Sequence, residues 1–82
     1  MTQYERQKLE VELRSFTSRN FERPSECRNL DQIRFYVQEL CQKIEEYQRR
    51  FNYVPNYAYS LLAQYNARQN GMIHTYFKNT YH

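Results

Sequence analysis

The apolar residues of this chain recur at helical spacing. Leu9, Leu13 and Phe16 stand at i, i+4 and i+7, one face of a helix with about 3.6 residues per turn. Further on, Leu30, Ile33, Val37, Leu40, Ile44, Tyr47 and Phe51 alternate steps of three and four without a miss. Such a heptad seam predicts a packed helix or a coiled coil. Tyr57, Ala58, Leu61, Leu62 and Tyr65 then share one face of a third helix.

Local signals set the limits of these elements. Thr2 and Glu5 have the capping-box spacing, so the first helix is expected from Thr2 to about Arg19. Pro24 forces the residue before it out of the helical region, which makes residues 20–29 a loop. Asn29, with Gln32 three residues on, is a suitable cap for the second helix. Residues 52–54 form a short connection, and Pro55 fits the first turn of the third helix, where a missing N–H does no harm. Asn70-Gly71 predicts a stop, because glycine readily takes the left-handed conformation that closes a helix. Beyond it, Ile73, Tyr76 or Phe77, and Tyr81 are near helical spacing. A short fourth helix, a docked tail and a disordered segment are all compatible with that pattern.

The fold expected is all-α: a small three-helix bundle over residues 1–71, built on an antiparallel helical hairpin, with a C-terminal tail over 72–82. Charges bear on how the hairpin closes. With Leu30, Val37, Ile44 and Phe51 at heptad position a and Ile33, Leu40 and Tyr47 at d, the flanks of helix two carry Arg34, Lys43 and Arg50. The flanks of helix one carry Glu5, Glu10 and Glu12, with Arg19 at the far end. An antiparallel register opposing Leu9 to Ile44, Leu13 to Leu40 and Phe16 to Val37 brings Glu5 to Arg50 and Glu12 to Lys43. Exposed pairs of this kind contribute only about 0.2 to 1 kcal/mol, so they select orientation more than they stabilise.

Composition narrows the class further. One glycine and two prolines in 82 residues leave too little punctuation for a hairpin-rich β fold. A chain this short buries only about 60% of its unfolded surface, which favours self-association, and a homodimer is expected. The polar start MTQYERQKLE has no apolar run of signal-peptide length and no segment is apolar enough to span a membrane, so a cytoplasmic protein is expected. Cys27 and Cys41 lack CxxC or Cys/His metal spacing and are expected as free thiols. Cys41, beside the seam, reads as a small buried hydrophobe; Cys27, in the loop, reads as the more exposed thiol and the one redox candidate.

The net charge of +3 conceals an asymmetry: residues 47–82 hold Arg49, Arg50, Arg68 and Lys78 and no acid. The same segment holds seven of the nine tyrosines. Arginine and tyrosine are the residues most enriched at interface hot spots, since each joins a large planar contact to a polar tip. Tyr47, Tyr57 and Tyr65 lie on core faces and are accounted for by packing. Phe35, Arg49, Arg50, Tyr53, Tyr59 and Arg68 are therefore the candidate partner-binding residues. Phe35 and Tyr36 also widen the apolar face of helix two, which the third helix is expected to cover.

The reading of function that follows is a non-enzymatic adaptor or regulatory module that binds a protein partner. Nucleic-acid binding through the same Arg/Tyr surface is the alternative, weakened by the absence of any run of five or six basic residues; a purely structural homodimer is another. No GxSxG, HExxH or glycine-rich phosphate loop is present. His74 and His82 read as solvated tail residues rather than ligands or catalysts, and no metal or cofactor is expected. A bundle of this size is also not expected to enclose a cavity of a few hundred cubic ångströms.

Overall fold

A computed structural model of the chain describes the backbone of residues 1–80 and the side chains of residues 1–75. Three helices form a bundle: α1 (Gln3–Asn20), α2 (Leu30–Phe51) and α3 (Asn56–Thr80), with a 3-10 turn at Pro24–Glu26 between the first two. No strand occurs among the described residues.

The first two helices start on the caps their sequence calls for, whereas α3 begins at Asn56, one residue after Pro55. The Glu5 amide donates to Thr2 Oγ1 at 3.2 Å, and the Thr2 hydroxyl reaches back to the Glu5 carboxylate at 3.2 Å. Asn29 Oδ1 accepts from the amides of Asp31 and Gln32 at 2.8 and 3.3 Å. The bonds from Glu5, Asp31 and Gln32 each satisfy an amide that the first helical turn leaves without a partner. Asn52 ends α2 at φ 50, ψ 35, a left-handed conformation that asparagine tolerates better than most residues. Its Oδ1 accepts from Gln48 Nε2 at 2.9 Å, and Pro55, fully buried, turns the chain into α3.

Helix α3 does not stop at Gly71. It runs through to Thr80, and Gly71 has no positive φ. Met72 explains the continuation: it packs against the core, so the apolar face outlasts the Asn-Gly signal. One helical glycine costs about 1 kcal/mol relative to alanine, which such packing offsets. The expected tail from residue 72 is therefore helical as far as residue 80; Tyr81, His82 and the side chains of Tyr76 and Phe77 lie outside the described residues.

The core joins Leu13, Ile33, Tyr36, Leu40, Tyr47, Ala58, Leu61 and Tyr65. Its tightest antiparallel pair is α2 with α3, while α1 rests in the groove between them, against α3. That arrangement rotates the buried face of α2. The d positions Ile33, Leu40 and Tyr47 are buried together with Tyr36, whereas Leu30, Val37, Ile44 and Phe51, at a, are only half-buried. Tyr36 receives α3 as expected; Phe35 does not and stays outside, 51% exposed.

Helix α1 is displaced by about one helical turn from the charge-matched register. Lys43 lies over the Phe16 ring at 4.5 Å, and Phe21 stacks on Tyr36 with centroids 4.8 Å apart. Tyr65 closes the triad, 5.6 Å from Tyr36 and 6.3 Å from Phe21. The expected Glu5–Arg50 and Glu12–Lys43 bridges do not form among the described residues. Instead Glu46 takes Arg50 at 3.0 Å and Lys43 at 3.7 Å within α2. Aromatic pairs contribute about 0.5 to 1.5 kcal/mol beyond their buried area, more than exposed ion pairs, so the rings set the register.

Candidate interaction surface

The six candidate partner-binding residues do not form one patch. Arg49, Arg50 and Tyr53 stand at the end of the bundle where α2 turns into α3, while Arg68 sits at the opposite end beside Cys27. Phe35 and Tyr59 are both 51% exposed, on α2 and α3 respectively. Of these six, Arg68 is engaged internally: Nε and a terminal NH2 both donate to the Cys27 carbonyl oxygen, at 3.0 and 2.8 Å. Arg50 binds Glu46, and Tyr53 is half-buried under Arg6, whose guanidinium lies 5.4 Å from the ring. Arg49, Arg50, Phe35 and Tyr59 are the members that face outward.

The tyrosines assigned to packing behave so. Tyr47 and Tyr65 are buried. Tyr57 is half-buried, with Arg14 4.2 Å above its ring and its hydroxyl 3.1 Å from Thr17 Oγ1. Thr17 was not among the expected core residues because a hydroxyl on an apolar face has no periodic signature. It is buried because the Arg14 carbonyl and the Tyr57 hydroxyl satisfy it. The Tyr65 hydroxyl donates to the Glu22 carbonyl, tying α3 to the first interhelical loop. Burial pushes the Tyr65 and Tyr47 phenols above the usual tyrosine value of 10.0, with Glu12 adding to the effect at Tyr47.

The two thiols exchange their expected roles. Cys27, expected as the exposed redox candidate, is 1% exposed, and its Sγ donates to the Arg23 carbonyl at 3.3 Å. Burial, followed by the charge of Glu22, raises its pKa, which makes it a poor nucleophile. Cys41, expected to be buried, is only half-buried. The 3-10 turn accounts for this, folding the loop back so that Cys27 caps the core.

Two concavities open between the helices among the described residues. One of about 220 Å³ lies between the end of α1 and α3, lined in part by Thr17, Phe21, Tyr57 and Tyr65. The larger, about 420 Å³, opens between the first turns of α1 and the last turns of α2. Leu9, Tyr47 and Phe51 supply its apolar surface; Glu5, Lys8, Glu12, Lys43, Glu46 and Arg50 supply the charges around it. Its volume falls in the range of ligand sites, about 300 to 1,000 Å³, but it is an open cleft and not an enclosed cavity. Within it, Arg50 and then Lys43 hold the Glu46 carboxyl below its ordinary range.

Among the described residues, no three His, Cys, Asp or Glu side chains are grouped to hold a metal ion, and His74 is exposed. No described helix is long and apolar enough to cross a membrane. Compared with protein-family models, with curated proteins and with solved structures, the chain matches none. Fold and surface together define a small three-helix bundle whose larger interhelical cleft, among the described residues, lies between α1 and α2.

Proposed function

We propose that the protein is a non-enzymatic helical interaction module that takes an apolar anchor of a protein partner into the α1–α2 cleft. The observation that carries this reading is the cleft itself, about 420 Å³ of space over Leu9, Tyr47 and Phe51 with charges of both signs around it. Apolar anchors seated in pockets and surrounded by polar groups are the usual source of interface affinity. The mixed charges favour a partner of alternating sign over a polyanion.

The test is capture from a lysate of the source cells on immobilised wild-type, Lys8→Glu and Arg50→Glu proteins, each checked for unchanged helicity. A partner retained by the wild type and lost from both variants supports the cleft. Equal retention on all three sinks it. Binding that disappears on nuclease treatment and falls steeply with salt identifies a nucleic acid instead, because each neutralised phosphate releases counterions.

A further inference from the structure

The α2–α3 groove is roofed by α1 on one side only. On α2 the core stripe is Ile33, Tyr36, Leu40 and Tyr47, and the α1 side is marked by Lys43, Glu46 and Arg50 in the shared cleft. At about 100° per residue, Val37, Cys41 and Ile44 fall on the opposite flank, and all three are half-buried. On α3 the inward residues are Ala58, Leu61 and Tyr65, with Tyr57 turned to α1. The opposite flank there carries Tyr59, Leu62 and Ile73, exposed or half-buried. Two antiparallel helices thus present one continuous uncharged face with no third helix on it among the described residues.

The charges bordering this face indicate what covers it. Asp31, Arg34, Glu45 and Arg49 lie along the adjoining outer edge of α2, all exposed, none in an ion pair among the described residues. Reversing α2 about its middle, level with residues 39 and 40, exchanges Asp31 with Arg49 and Arg34 with Glu45. Every charge then meets its opposite, whereas a parallel alignment would oppose each to itself. A twofold interface requires the same patch on both subunits to be self-complementary, and this edge is so only in the antiparallel sense.

We propose that a second copy of this chain packs across the α2–α3 flank left open by α1, with α2 antiparallel to its symmetry mate. The interface goes beyond the proposed partner cleft and does not depend on it, since the cleft is on the other side of α2. Twofold pairing about residues 39 and 40 brings the two Cys41 side chains within about one helical turn of each other along the axis. Cys27, sealed in the core, does not compete.

The experiment is sedimentation equilibrium on the wild type, Arg34→Glu, Glu45→Arg and the double swap, with short-bismaleimide crosslinking of the wild type and Cys41→Ser. The wild type should sediment as a dimer. Each single reversal turns two attractive pairs repulsive and should weaken the dimer about tenfold, with the double swap restoring it. The crosslinker should join wild-type chains and leave Cys41→Ser unjoined, a readout that requires no charge variant to fold. A monomer throughout the concentration range overturns the proposal. So does a dimer that ignores the reversals and is not joined through Cys41, since its interface lies elsewhere.

Discussion

Arg68 grips Cys27 by the backbone, two guanidinium N–H groups converging on one carbonyl oxygen at 3.0 and 2.8 Å. With the Tyr65 hydroxyl on the Glu22 carbonyl, it pins both ends of the 3-10 loop to α3. Hydrogen bonds to charged groups contribute about 1.5 to 3 kcal/mol. Arg68→Ala should therefore lower the urea unfolding free energy by about that amount, and Arg68→Lys, able to make one such bond, by less. An unchanged urea midpoint in Arg68→Ala would return this residue to the surface as a contact for partners.

Gly71 offers the opposite change. It lies inside α3, and a Cβ added there meets no atom within 4 Å. Gly71→Ala should raise stability by about 0.5 to 1 kcal/mol, through the unfolded chain's lost freedom and better helix propensity. Were Gly71 the left-handed stop that Asn70-Gly71 suggests, the same substitution would destabilise. Thermal unfolding followed by circular dichroism distinguishes the two by sign.

The Arg68 and Gly71 cases separate what the sequence can carry from what it cannot. Helix α2 is legible to the residue, Leu30 to Phe51, because its cap, its seam and its end are all local features. The buried side of that seam is not legible, since a and d positions look alike until the neighbour is known. Here α3 selects d and Tyr36. The cleft lies between α1 and α2, and the Phe21–Tyr36–Tyr65 contact joins three separate segments, so neither is a local feature of the sequence. Charge matching, the signal available to sequence reasoning, is the weaker force. The burial of Cys27 and its bonds from Arg68 are hidden from the sequence for a related reason: a loop that folds back leaves no periodic trace.

Tyr57 joins α1 to α3 through two side chains one turn apart, Arg14 over its ring at 4.2 Å and Thr17 at its hydroxyl at 3.1 Å. Tyr57→Phe keeps the ring and removes the hydroxyl, and should cost about 1 kcal/mol. Arg14→Ala removes the cation from the ring; since Arg14 is exposed, a double-mutant cycle with Tyr57→Leu should give a coupling of about 0.5 to 1 kcal/mol. A coupling indistinguishable from zero would mean that the guanidinium is held by Glu10, 3.7 Å away, and not by the ring.

Alkali should unfold the bundle at a definite place. The ordinary value for Cys27 is 9.0 and for Tyr47 and Tyr65 it is 10.0, and burial raises all three in the folded chain. Each native group holds its proton at a pH where its unfolded counterpart has released it. The folded state then binds more protons than the unfolded one, and stability falls with rising pH. The contribution is fully present below the unfolded values and is lost from about pH 9 upward, through each folded pKa in turn. Urea unfolding free energies should thus show no decline from these groups between pH 7 and 9 and should drop beyond it. Tyr65→Phe, less stable at neutral pH through loss of the bond to Glu22, should show a shallower alkaline decline. A wild-type profile that stayed level to pH 11 would contradict the burial of these hydroxyls and of the Cys27 thiol.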